Sequence, residues 1–368
     1  MPRLPTGLLL KARSVGPLLV HLLRTCRDLA SAKNELRWLR EHVREPSVRR
    51  MIQSQRDETA LLRRLCERRG QGEPLQYILG SEYFGDLEIK CQRGVLIPRP
   101  ETAASVTHLA RLLRERYHDE DMPIRILDLC TGTGCMSFLL VHELLKHGCR
   151  RKILTLGVDI SSSAVKLAEI NRRNLLRQGK QSPRAVSGQS SKESSEFGAR
   201  WAQALEDMKF VRADIFSKSF LETLVQRRFD VVLSNPPYIS SSGFKSSTSR
   251  SVRNFEPRLA LVPHQASASS EESGDVFYPR LLEIIDSLRA NVMLLEVADL
   301  EQATRVARMA RRGQAESNIE IWRDQPTHGP CLALHDVEDV VIRGCGNGRS
   351  VFAFSDLSVV EAHECQHK

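Results

Sequence analysis

Ile124-Arg-Ile-Leu-Asp-Leu-Cys-Thr-Gly-Thr-Gly-Cys135 decides the fold. Its first six residues form an apolar run suited to a buried strand, with Asp128 near the end. Gly132 and Gly134 then make a tight loop, and residues 136–145 carry the apolar spacing of a helix. Strand, glycine loop and helix in that order hold a nucleotide-bearing cofactor at the edge of an open α/β sheet.

The unit repeats downstream. Residues 152–158 read as a strand ending at Asp159, followed by a helix over 161–176 with Ser161 as N-cap. An acid at the tip of that second strand is placed to accept hydrogen bonds from both ribose hydroxyls. A third strand, 209–214, ends at Asp214. With Ile215 and Phe216 next to it, it suits the edge and face of an adenine.

The fourth strand opens Phe229-Asp-Val-Val-Leu-Ser-Asn-Pro-Pro-Tyr238. Pro236 and Pro237 cannot donate ladder hydrogen bonds, so this strand stops near Ser234. Asn235 offers a carbonyl acceptor and an amide donor, the prolines hold the backbone extended, and Tyr238 adds a flat face. Such a loop suits a planar group bearing an NH2. Read as turn chemistry alone, Asn-Pro-Pro has no reason to follow a buried strand downstream of a glycine loop.

Further strands near 292–297, 319–322 and 340–342, with helices over 278–289 and 300–312, complete the count of a seven-stranded Rossmann-like domain over 103–356, and 351–354 reads as one further, last strand. Residues 178–200, rich in Ser, Gly, Lys and Gln, read as a disordered insertion. The Ser-rich stretches 240–251 and 267–273 read as long loops near the site, and 357–368 as a flexible tail. Ahead of the sheet, 28–80 read as a small helical domain for substrate recognition, with Leu36, Leu39 and Val43 on one face. Residues 81–102 read as a connector carrying a short strand pair. Residues 1–27 contain no Asp or Glu, five Lys or Arg and a leucine-rich body broken by Pro17, the pattern of a mitochondrial presequence.

Composition narrows the function. The chain has 368 residues and a net charge of +9, and residues 1–70 hold 16 Lys and Arg against seven Asp and Glu, so the remainder is formally neutral. That argues against a broadly basic catalytic face: no stable nucleic-acid partner is expected, and any polyanion contact, such as ribosomal RNA, belongs at the N-terminal end. Nine cysteines without a Cys-x-x-Cys pair fit a reduced compartment. The His363-Glu-Cys365-Gln-His367 tail reads as a frayed terminus, so no metal is expected. No apolar run approaches the ~20 residues of a membrane span, and no membrane association is expected.

Gly132-x-Gly134-x-x-Ser137 lies one residue from a dinucleotide fingerprint, so hydride transfer has to be weighed. Three features favour S-adenosylmethionine instead. Asp128 can meet a cationic amino-acid end, Asp214 closes an adenine end, and Asn235-Pro-Pro-Tyr238 fits no dehydrogenase role.

Gly72-Glu-Pro-Leu-Gln-Tyr77, Ile97-Pro-Arg-Pro-Glu-Thr102, Asp128-Leu-Cys-Thr-Gly-Thr-Gly134, Asn235-Pro-Pro-Tyr238 and Glu256-Pro-Arg-Leu-Ala-Leu261 stand in the order seen in the HemK/PrmC family. From about residue 31 to 343 the chain resembles these release factor glutamine methyltransferases, and it looks most like their fungal mitochondrial members. The resemblance implies N5-methylation of the glutamine in the Gly-Gly-Gln loop of a class 1 peptide-release factor, in the mitochondrial matrix. It implies cofactor contacts from Asp128, Leu129, Cys130, Thr131, Gly132, Gly134, Asp159, Asp214, Ile215 and Asn235, and a glutamine amide held by Asn235, Pro236, Pro237 and Tyr238. Asn235, Pro236 and Tyr238 would carry the catalysis. Cys130 departs from the pattern in place of the first motif glycine, as does Ala103 where a second acid usually follows Pro-Glu-Thr.

Two rivals follow from the same residues. Asn-Pro-Pro-Tyr also serves enzymes that methylate exocyclic amines of nucleic-acid bases, and the Cys130 departure would suit a cofactor-binding, ribosome-associated protein without turnover.

Overall fold

The computed structural model describes residues 3–50, 52–116, 122–181, 191–225, 227–263, 274–313, 317–329, 331–333 and 340–354. The chain divides into two compact units. One comprises residues 1–81, 91–93 and 248–256, and the other the remainder.

The first unit is helical. Asp28 caps the helix Leu29–Arg44 by accepting from the Ser31 N–H at 2.8 Å, and Ser54 caps Gln55–Gly70 in the same way. Ala32, Leu36, Leu39 and Val43 recur on one face of the first of these and are buried with Leu65 and Cys66 of the second. Arg69 clamps Glu35 through two bonds of 2.8 Å, so each buried charge has its partner.

Helices Thr6–Val15 and Leu19–Cys26 belong to the same bundle. Ala12, Leu19, Leu22 and Leu23 are buried in its core, and the Thr25 hydroxyl donates to the Arg69 carbonyl at 2.7 Å. The boundary expected at residue 27 thus falls inside a folded core. Arg3, Lys11, Arg13 and Arg24 are exposed, as is Leu10, while Leu19, Leu22 and Leu23 are buried. Composition alone cannot tell that arrangement from an amphipathic targeting helix.

The second unit is built on a nine-stranded sheet. A separate strand pair, β1 (Ser81–Phe84) and β2 (Leu87–Lys90), precedes it as expected. The main strands are β3 (Ile124–Leu129), β4 (Ile153–Asp159), β5 (Lys209–Arg212), β6 (Val231–Ser234), β7 (Val292–Glu296), β8 (Asn318–Gln325), β9 (Cys331–Ala333), β10 (Val340–Arg343) and β11 (Cys345–Phe354). Their order is β5-β4-β3-β6-β7-β11-β8-β10-β9.

The five from β5 to β7 are parallel, and β11 enters antiparallel between β7 and β8. Every strand read over 124–354 is present, as β3 to β8, β10 and β11, but the sheet exceeds seven strands because β10 pairs parallel with β8 and the unforeseen β9 pairs antiparallel with β10.

Apolar layers cover both faces. Leu109, Phe138, Leu139 and Leu205 belong to one, and Leu281, Ile285, Val306 and Ala307 to the other. The chain leaves β3 for β4 and β5 on one side and returns to β6 and β7 on the other. The strand order therefore reverses between β3 and β6, where the carboxyl ends open a crevice.

Two expectations fail for local reasons. The insertion foreseen over 178–200 begins inside the helix Ser162–Gln181 and ends inside Ser191–Asp207, which anchors Phe197 and Trp201 in edge contacts with His142; only 182–190 lies outside the described residues. The Ser-rich 240–251 stretch contributes two short helices, Ser241–Ser246 and Arg250–Phe255. Ser240 and Ser249 accept from backbone N–H groups as caps. Residues 267–273 and the 357–368 tail lie outside the described residues.

Candidate active site

The loop after β3 is fastened by its own neighbours. One oxygen of the buried Asp128, Oδ2, accepts from the Thr131 and Ser137 hydroxyls, each at 2.7 Å. Its Oδ1 is buried without a protein partner. Burial pushes the Asp128 carboxyl up to about 6, with nearby Asp159 adding to the rise and the two hydroxyls opposing it.

Cys130 occupies the left-handed region with φ 61°, where a side chain is strained. Burial pushes its thiol well above the ordinary range. Gly134, at φ 80°, caps the helix Cys135–Lys146; a Cβ there would lie 2.6 Å from the Phe138 ring and 3.0 Å from that of Phe210. Only glycine fits.

Asp159 ends β4 and ties two loops. Its Oδ2 accepts from the Gly132 N–H at 2.9 Å and its Oδ1 from the Ser161 N–H at 2.8 Å. Burial raises its carboxyl, and those two N–H groups oppose the rise. The Ser161 hydroxyl accepts from the Ala164 N–H, as its expected capping role requires. Asp214 lies two residues beyond the end of β5 and accepts from the Phe216 N–H at 2.9 Å. Phe216 meets Phe277 edge to face at 5.0 Å, beside the buried Ile215.

The loop after β6 is fastened from a distance. The Ser234 hydroxyl donates to the Leu129 carbonyl at 2.9 Å, and the Tyr238 hydroxyl donates to Glu296 Oε1 at 3.1 Å. The other Glu296 oxygen accepts from Thr102 at 2.5 Å. Burial raises the Glu296 carboxyl, with Thr102 and Arg349 the leading opposing influences. Gln302 Nε2 donates to the Tyr238 carbonyl at 3.2 Å and to Asp275 at 2.8 Å, and Arg305 holds Asp275 with two bonds. Gly274, at φ 76°, packs so closely that a Cβ would stand 2.2 Å from the Tyr238 carbonyl oxygen. Asn235 Oδ1 is buried and has no protein partner.

One cleft gathers these loops. Cys130, Thr131, Gly132, Asp159, Asp214, Ile215, Asn235 and Pro237 line it, joined by Ile97, Pro98, Arg99 and Thr102 from the proline segment and by Leu259, Ala260 and Phe277. The other expected site residues stand behind the wall. Leu129 packs into the core, Gly134 serves helix packing, Pro236 is buried, and Tyr238 spends its hydroxyl on Glu296. Asp128 also lies behind the loop it fastens. Neither histidine nor lysine lines this cleft among the described residues.

Glu296, Gln302, Asp275 and Gly274 escape a local reading of the sequence. Glu296 does carry a signal, because it closes the apolar run Val-Met-Leu-Leu much as Asp159 closes β4. The cleft offers carboxylate and amide acceptors around an apolar floor, an arrangement suited to orienting a polar group rather than stripping it of a proton with a strong base.

Two family models match the chain, the PrmC N-terminal domain over residues 19–80 and the Eco57I restriction-modification methylase over residues 155–291. The chain is 34% identical over 263 residues to the mitochondrial MRF1 N(5)-glutamine methyltransferase MTQ1 of Saccharomyces cerevisiae, covering 71% of this chain and 68% of that one. It is 29% identical over 319 residues to the probable MRF1 mitochondrial N(5)-glutamine methyltransferase of Schizosaccharomyces pombe, covering 83% and 88%. To the release factor glutamine methyltransferase of Haemophilus influenzae it is 30% identical over 265 residues, covering 71% and 75%.

Proposed function

This chain belongs to the release factor glutamine methyltransferase family, and from that premise we propose that it methylates the side-chain amide nitrogen of the glutamine in the Gly-Gly-Gln loop of a class 1 peptide-release factor in the mitochondrial matrix. The observation that carries this reading is Asn235 Oδ1, a buried amide oxygen on the cleft wall with no protein partner. A buried acceptor left unpaired is costly, and a substrate N–H satisfies it.

S-adenosylmethionine is the methyl donor and supplies a methyl group on a positively charged sulfur. The residues present fit it. Asp159 on the cleft wall suits the ribose hydroxyls and Asp214 with Ile215 the adenine edge and face, while Asp128, behind the wall with Oδ1 unpaired, supplies negative charge toward the ammonium of the amino-acid end.

An amide nitrogen is a poor nucleophile because its lone pair is delocalised. Asn235 Oδ1 accepts one of its N–H bonds and the Pro236 backbone carbonyl accepts the other, which localises density on nitrogen and aims it. Alignment of this kind contributes on the order of 7 to 11 kcal/mol. Tyr238 acts through the loop: anchored on Glu296, it holds Asn235 and Pro237 in place. The proton leaves to water, in keeping with a cleft wall free of histidine and lysine among the described residues.

The test is mass spectrometry of the Gly-Gly-Gln peptide from a mitochondrial release factor incubated with the protein and S-adenosylmethionine. One added methyl on the glutamine supports the reading, and an unmodified peptide with cofactor bound refutes it. For localisation, residues 1–27 carry the import signal and stay in the mature protein, since their leucines complete a core. A fluorescent fusion of residues 1–27 should enter mitochondria, and the intact mass of the mature protein should include them. A diffuse cytosolic signal would count against the first statement, and a mass lacking that segment against the second.

A second reading, methylation of an exocyclic base amine, draws on the restriction-methylase match, which spans Asn235 to Tyr238. Label from the methyl donor appearing in a nuclease-sensitive fraction would favour it.

A further inference from the structure

Charge separates the two units. The helical unit holds 19 Lys and Arg against nine Asp and Glu, a net of +10, and the sheet unit holds 35 against 36. Much of the excess is ordered in a row. Lys33, Arg37, Arg40 and Arg44 recur at i, i+4, i+7 and i+11 of the helix Leu29–Arg44, which is one helical face, and all four are exposed. At 1.5 Å per residue the row runs about 16 Å.

Little neutralises it. Lys33 and Arg40 make no ion pair among the described residues. Arg37 reaches Glu41 only at 3.9 Å, with both side chains more than three-fifths exposed. Arg44 reaches Glu58 at 4.0 Å, while Glu58 is already bonded to Arg49 at 2.6 Å. Exposed pairs of this kind contribute little. The catalytic reading uses none of these cations.

We propose that this row binds the phosphodiester backbone of an RNA strand. Evenly spaced cations along a rigid helix match a polymer whose charges are themselves evenly spaced. Three of the four are arginines, whose planar fork pairs with phosphate in a way a lysine point charge cannot. The contact is electrostatic and salt-labile, consistent with the expectation of no stably held nucleic acid. It does not depend on the proposed methylation.

The experiment is fluorescence anisotropy of a labelled single-stranded RNA of about 20 nucleotides, titrated with the full chain from about 50 to 200 mM salt. Saturable binding is expected, with log K falling linearly against log salt. The quadruple variant Lys33→Gln, Arg37→Gln, Arg40→Gln, Arg44→Gln should lower the slope by about 3, at roughly 0.7 per lost phosphate contact, and the pair Lys33→Gln, Arg40→Gln by about half that. All four side chains are exposed, so the thermal midpoint should hold. Lys209→Gln, an exposed cation of the sheet unit, should change nothing.

No saturable signal at the lowest salt would overturn the proposal, as would an unchanged slope in both variants. Displacement of the RNA by polyglutamate at equal charge concentration would reassign the row to an acidic protein surface. Displacement by phosphatidylserine vesicles, with polyglutamate inert, would reassign it to a membrane.

Discussion

The loops after β3 and β6 end adjacent parallel strands, Leu129 lying opposite Ser234, yet they are held by opposite means. In the first, the fixing carboxylates stand three to 27 residues away, whereas Tyr238 of the second is fixed from 58 and 64 residues away. Asp128 holds Thr131 and Ser137, Asp159 holds Gly132, and the chain turns through left-handed residues at 130, 132 and 134. In the second, stiff prolines are locked by distant groups, with Tyr238 fixed by Glu296 and Gln302 and Glu296 in turn bonded to Thr102. On the proposed reading, the cofactor side of the cleft is the more local structure and the substrate side the more tertiary one. It should therefore be possible to damage turnover and cofactor binding separately.

Gly274→Ala should separate them most sharply. Its Cβ would meet the Tyr238 carbonyl at 2.2 Å, so the substrate loop must move. A displacement of about 1 Å costs turnover on the order of 100-fold. Cofactor affinity measured by calorimetry should stay within about threefold of wild type, since nothing after β3 is touched; an equal loss of both would break the distinction.

Glu296→Ala should follow, with kcat lowered about 10- to 100-fold and stability lowered by about 1–3 kcal/mol in urea titration. It strands the Tyr238 and Thr102 hydroxyls in a buried site.

Asp128→Asn should act on the other loop, weakening cofactor binding about tenfold with a smaller effect on turnover at saturation. The pH dependence sharpens the assignment. Folding lifts the Asp128 carboxyl to about 6, above its ordinary value, so in the ligand-free protein its ionisation lowers stability as pH rises from the ordinary carboxylate range through about 6. Binding a cationic amino group needs the ionised form, so affinity runs the other way. It should fall by up to about tenfold per pH unit below 6. Asn at this position should flatten both slopes.

The smallest effect belongs to Cys130→Gly. Relieving a left-handed side chain is worth about 1 kcal/mol, seen as a higher urea midpoint with cofactor affinity unchanged.

The same distinction explains what could be read from the residues. An apolar run closed by an acid, a glycine pair and two prolines are local signals, so β3, β4 and β6 and the polar loops after them were legible. So was the helical N-terminal region, whose Leu36, Leu39 and Val43 mark one face. Gln302 and Gly274 were not legible, because each acts on a residue tens of positions away. Tyr238 read as a free aromatic face for the same reason: nothing near it in sequence reveals Glu296. The helix Ser191–Asp207 was hidden by a polar composition whose few apolar residues, Phe197 and Trp201, do the anchoring. The edge strand β9 was obscured because a pairing partner, not propensity, places so short a strand in a sheet, whereas β10 was legible in the apolar run 340–342.

The most direct measurement is the turnover of Asn235→Ala on the release factor, with S-adenosylmethionine affinity measured on the same sample. Removing the unpaired Oδ1 should lower kcat by about 100-fold or more, with affinity within about threefold, since orientation of the amide is lost while the loop after β3 is intact. Near-normal turnover with cofactor bound would contradict the account.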